Sequence, residues 1–183
     1  MNLNKLNDYP SPKTTKYLLI FSLILYIVIY PILGFYFMIS NYPVGFIESQ
    51  LSFSGEIIKS HLRTMSKAEI HLYRIAQLID YIYMVAYGTL YFTFGLYLAR
   101  KFEKDTGFRK TGLFAALFGL ISACCDATEN AFILLMLTDP QGFPNIWAIT
   151  HSCFALVKFI LIGIFMIWTI SAIIALLIRK IKS

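Results

Sequence analysis

An all-α fold, an integral membrane four-helix bundle with an amphipathic extracytoplasmic first loop, follows from three features of the sequence. The 183-residue chain is 58% hydrophobic and only 14% charged, whereas a soluble domain carries roughly 25% charged residues. Its mean hydropathy is +0.67. The apolar residues fall into four runs, each longer than the ~20 residues that cross ~30 Å of hydrocarbon. The basic residues gather beside the ends of those runs. So few charges cannot cover so apolar a surface in water, so lipid is the solvent for part of it. One transmembrane domain over residues 1–183 accounts for the whole chain, and only helices satisfy their own backbone groups inside hydrocarbon.

The first span reads as residues 17–39. It is too long for a signal-peptide core and has no small-residue cleavage site, so it stays as a span. Pro31 lies inside it and predicts a kink. The first loop, Asn41 to Arg74, is too long for a simple connector. Its Phe46, Ile47, Leu51, Ile57, Ile58 and Leu62 alternate with polar residues, which predicts a short amphipathic helix lying on the membrane. Ser66 followed by Glu69 is a capping-box pattern, so a helix starts there and runs into the second span, residues 75–99. The third span, 111–137, carries a small-residue ridge: Ala115, Gly119, Ala123, Ala127 and Ala131, each four apart. Such a ridge admits another helix closely, either within the bundle or from a second protomer in a homo-oligomer. Asp139-Pro140 and Gly142 mark a turn, and the fourth span follows as 146–178. Trp147 and Trp168 read as interfacial or lipid-facing. Cys124, Cys125 and Cys153 all fall in apolar runs without CxxC spacing, which predicts buried thiols and no disulfide framework.

Charge placement sets the orientation. Lys5, Lys13 and Lys16 precede the first span, Arg100, Lys101, Lys104, Arg109 and Lys110 fill the second loop, and Arg179, Lys180 and Lys182 follow the fourth span. The opposite side holds only Lys59, Arg63, Lys67 and Arg74. The positive-inside rule then predicts a multi-pass protein of the cell membrane with both termini cytoplasmic. The formal charge of +6 thus belongs to topology, and no nucleic-acid partner is expected.

Against this apolar background, several ionisable or polar residues stand inside the spans. The second span carries Asp80, with Tyr83 and Tyr87 at helical spacing. The third carries Asp126, Glu129 and Asn130, which at i, i+3 and i+4 share one face. The fourth carries His151 and Lys158, seven apart and again on one face. Counting at 1.5 Å per residue from the basic anchors puts Asp80 about 30 Å, Asp126 about 24 Å, Glu129 about 28 Å and Lys158 about 31 Å away. Residues from three helices therefore fall near one depth in the outer leaflet, with the first loop above them as a lid. Hydrocarbon tolerates such groups poorly alone, and intramembrane charges mark function by default. Three crowded carboxylates facing one lysine cannot all stay ionised unaided, so either one acid holds a proton or a cation completes the site.

Three function classes fit. The first is a site that binds a proton, a cation or a lipid headgroup. The second is a lipid- or isoprenoid-active enzyme in which Glu129 or Asp126 does acid/base work tuned by Lys158 or His151. The third is a structural subunit of a membrane complex, in which the charges only lock helices together. Whether the chain is an enzyme stays open at this point. No nucleophile motif such as GxSxG is present. Without a Glu-x-x-His pair or Cys-rich spacing, no metal or other cofactor is expected.

Asp80-x-x-Tyr83 with Tyr87, Asp126-x-x-Glu129-Asn130, and Lys158 within the last span together resemble a family of small prokaryotic four-span membrane proteins. Phe159 stands where that family's pattern has Trp after the lysine, and no proline follows Asp80 where some members have one. The resemblance covers roughly Leu51 to Gly163. It implies the site's position and brings no activity with it. In architecture alone, acids and a histidine inside a four-span bundle also resemble the sterol-isomerase-like proteins.

Overall fold

The computed structural model describes residues 3–182; of the single domain expected over 1–183, residues 1, 2 and 183 lie outside the described residues. A 3-10 turn, Leu3–Asn7, precedes six α-helices: α1 Pro12–Ile39, α2 Phe46–Gln50, α3 Gly55–Thr64, α4 Lys67–Ala99, α5 Gly107–Met136 and α6 Asn145–Ile181. Among the described residues there is no strand. Four helices, α1, α4, α5 and α6, are long and apolar enough to cross a membrane.

Capping chemistry sets where these helices begin. Ser11 accepts from the backbone N–H of Thr14 with Pro12 in the first turn of α1, where its missing N–H costs nothing. The expected capping box opens α4: Ser66 accepts from the Glu69 N–H, and the Glu69 carboxylate accepts from the Ser66 N–H. Thr106 caps α5 through the Arg109 N–H. The helices therefore start before the apolar runs do, and α4 carries two turns of mixed polar and apolar residues ahead of its span. Helix α1 continues through Pro31 to Ile39.

Packing runs in sequence order: α1 lies along α4, α4 along α5 and α5 along α6. Small residues bring α4 and α5 together. A Cβ on Gly88 would meet that of Ala123 at 2.6 Å, and one on Gly95 would meet Ala116 at 2.9 Å. Gly119 faces the backbone of Tyr91 and Phe92. The ridge on the third span thus serves the bundle. Ala115 and Gly119 are buried, so this part of the ridge is covered within the bundle and is not open to a second protomer. Trp168 also departs from expectation. It is buried, its ring packs over Gly112, and its Nε1–H donates to Thr111 Oγ1 at 3.1 Å. The glycine leaves the space that draws the indole inward. Of the cysteines only Cys125 is buried, while Cys124 and Cys153 lie on exposed helix faces, and all three are free.

The first loop holds two helices where one was expected, and α3 turns its main apolar face toward the protein. Its apolar face, Ile58 and Leu62, is packed with Met65, Tyr73, Ile133, Met136, Phe143 and Ala148 as a core closing one end of the bundle. Two backbone donors pin the loop: Gly55 N–H to Asn145 Oδ1 at 2.6 Å and Phe53 N–H to Ser152 Oγ at 3.0 Å. The outward apolar face belongs to α2, whose Phe46 and Ile47 are 56% and 66% exposed. At the opposite end, Arg100 donates to Leu6 O and Thr15 Oγ1, and Arg109 to Asn7 Oδ1 and Phe102 O. The N-terminal turn and the basic second loop therefore share one end.

Candidate functional site

The face that α5 presents to its neighbours carries Asp126, Glu129 and Asn130, because i, i+3 and i+4 positions stack over one another on a helix. Helix α6 supplies Lys158 from one side and α4 supplies Asp80 and Tyr87 from the other. Lys158 Nζ lies 2.8 Å from Asp126 Oδ1 and 2.5 Å from Glu129 Oε2. Asn130 Nδ2 donates to Asp80 Oδ2 at 2.9 Å, and the Tyr87 hydroxyl donates to Asp126 Oδ2 at 2.9 Å. All of these side chains are buried, Glu129 completely. The shared depth inferred from counting is thus a shared contact network across three helices.

The charges in this network do not balance. Lys158 is held between two carboxylates. Asp80 makes no ion pair among the described residues; its hydrogen-bond partner is the neutral Asn130 amide. Ionised, the three acids outnumber the one lysine by two. Burying an uncompensated charge is expensive, so a positive group or a proton would bring this network into balance.

His151 is buried rather than facing headgroups at a helix start. Its Nδ1 sits 3.2 Å from the Glu129 backbone carbonyl oxygen. A carbonyl only accepts, so Nδ1 carries the proton; in the neutral form of the ring Nε2 is then an acceptor. That Nε2 has no hydrogen-bond partner among the described residues, and neither do Glu129 Oε1 and Gln77 Oε1.

Two adjoining cavities reach the network. The first, about 370 Å³, is bounded by Tyr30 and Leu33 on α1, Asp80, Tyr83 and Tyr87 on α4, Asp126 on α5, and Lys158 and Phe159 on α6. The second, about 320 Å³, lies toward the loop and is bounded by Tyr42, Ser49, Tyr73, Gln77, Glu129 and His151. Gly34, Phe37, Phe46, Gln50 and Gln77 border both, which makes them one cleft. Helices α1 and α6 pack on α4 and α5 but not along each other, so the cleft lies on the bundle's open side between them. Helix α2 roofs it, and Gln50 Oε1 accepts from Lys158 Nζ at 3.4 Å. Burial pushes the Tyr42 phenol up, so its hydroxyl stays protonated and accepts from Ser49 Oγ at 3.0 Å.

Every expected site residue borders the cleft or its network. Tyr83 does so through its ring, which packs at a tilt against Tyr26 and Tyr87 at centroid distances of 5.3 Å each. Sequence reasoning missed Gln77 and Gln50. Gln77 precedes Asp80 by three residues, so the i, i+3 rule that united the α5 acids was a signal for it. Gln50 ends the five-residue helix α2, which is too short for a periodicity to announce its direction. No family model, no curated protein and no solved structure matches the chain. The functional reading therefore rests on the geometry of the cleft.

Proposed function

We propose that this is a multi-pass protein of the cell membrane that binds a positively charged group, a cation, a proton or the cationic headgroup of a lipid, in a cleft in the outer leaflet. Asp80, a buried carboxylate on the cleft wall that makes no ion pair among the described residues, carries the reading. Asp126 and Glu129, joined to Lys158, form the rest of the site, and the Tyr83 and Tyr87 rings offer faces to a cation. The basic end of the bundle, with eleven lysines and arginines against four at the other, supports cytoplasmic termini and so an outer position for the site.

Asp80→Asn removes the charge and keeps the shape. The test is the thermal unfolding midpoint of the purified protein in a neutral detergent, titrated with butylammonium chloride or sodium butyrate at equal ionic strength. Butylammonium raises the wild-type midpoint, butyrate does not, and Asp80→Asn abolishes the rise. Equal effects of the two salts, or an unchanged response in the variant, contradict the proposal.

A further inference from the structure

Resting on that reading, we infer that the occupant is a long-chain primary amine, its ammonium held among Gln77, Glu129 and His151 and its chain leaving between α1 and α6. Gln77, Glu129 and His151 all border the loop-side cavity, and each carries a buried acceptor without a hydrogen-bond partner among the described residues: Gln77 Oε1, Glu129 Oε1 and His151 Nε2. A buried acceptor calls for a donor. A primary ammonium carries three N–H donors and one positive charge, which matches three acceptors beside an acid-rich network. A quaternary ammonium has the charge and no donor. A metal ion is disfavoured, because among the described residues no three His, Cys, Asp or Glu side chains are placed to hold one.

The chain's path follows from the other half of the cleft. Tyr30, Leu33, Phe37, Phe159 and Ile162 give it apolar walls on α1 and α6. Outside that gap both helices turn apolar residues outward, among them Ile27, Ile32, Ile160 and Ile164, so an alkyl chain passes from the cleft into lipid without meeting water. Gly34 borders both cavities, and a Cβ built on it meets nothing within 4 Å. A larger side chain there fills the passage without displacing an acid.

Binding of dodecylammonium, dodecyltrimethylammonium and butylammonium to the full-length protein in neutral detergent, measured by native mass spectrometry and by unfolding midpoint, tests this. The two dodecyl compounds share a chain and differ in N–H donors. Dodecylammonium binds at least tenfold tighter than dodecyltrimethylammonium; Gln77→Met narrows that ratio, and Gly34→Leu weakens dodecylammonium while sparing butylammonium. Lysophosphatidylethanolamine presents the same ammonium behind a phosphate, and its binding or failure assigns the amine to a phospholipid or to a simple amine source. Equal affinity for the two dodecyl compounds, still dependent on Asp80, overturns the primary amine and leaves the cation reading intact. Insensitivity to Gly34→Leu overturns the path of the chain. Binding of all three ammonium compounds unchanged in Asp80→Asn overturns the cation reading itself.

Discussion

Lys158 owes its position to what surrounds it. Its ammonium is the only cation among three carboxylates in the spans, and it bonds two of them. Replacing one member of a buried ion pair leaves the others uncompensated, at about 3–5 kcal/mol. Lys158→Met is therefore expected to lower the unfolding midpoint sharply, and Glu129→Gln introduced alongside it to recover part of the loss. A double-mutant cycle on thermal stability checks this coupling; additive effects would show that the lysine and Glu129 act independently. The residues of this network were legible in the sequence because charge is scarce in an apolar run and helical spacing tells which charges share a face. Their partners were less so. Nothing in the sequence says that Lys158 prefers Asp126 and Glu129 to Asp80, since that depends on how α6 rotates against α5. Nor does it say that Asp80 is answered only by an amide.

Among the elements, α3 differs most from its expectation. Its alternating pattern identified an amphipathic helix correctly but could not name what its apolar face meets, because a lipid surface and a protein end are equally apolar. Ile58 and Leu62 meet the protein. Leu62→Ala should cost about 2–5 kcal/mol, the range for a large-to-small change in a packed core; a change within a few tenths, read by chemical or thermal unfolding, would return α3 to the membrane surface. The start of α4 was readable to the residue, since a capping box is local chemistry. Ser66→Ala should cost about 0.5–2 kcal/mol. The ridge on α5 was also visible, but its partner was not: Gly88 and Gly95 on α4 provide the matching surface, and two small faces signal contact only once paired. Trp168 was misplaced for the same reason, as its seat is the missing side chain of Gly112.

For the molecule as a whole, four long helices packed in chain order leave one side open between the first and the last. That opening, more than any single residue, turns a buried charge network into a cleft. Composition and hydropathy gave the number of spans, because lipid imposes length and apolarity directly. Whether a cavity reached the charges depended on helix rotation and on the seating of α2, and neither leaves a mark in the residue pattern. The proposed orientation has its own check. Reporter domains fused at either terminus, active only in the cytoplasm, are expected to be active at both ends; activity at one end alone would mean an odd number of crossings.

The most direct measurement uses the cleft as its own filter. With Cys124, Cys125 and Cys153 replaced by alanine, Gln77→Cys places a single thiol at the junction of the two cavities. Its rate of modification by a small cationic thiosulfonate is compared with that of an anionic reagent of equal size. A cleft that binds positive groups predicts reaction with the cationic reagent at least tenfold faster, and a loss of that preference when Asp80→Asn is added. Equal rates, or a thiol closed to both reagents, would contradict a cation-binding cleft.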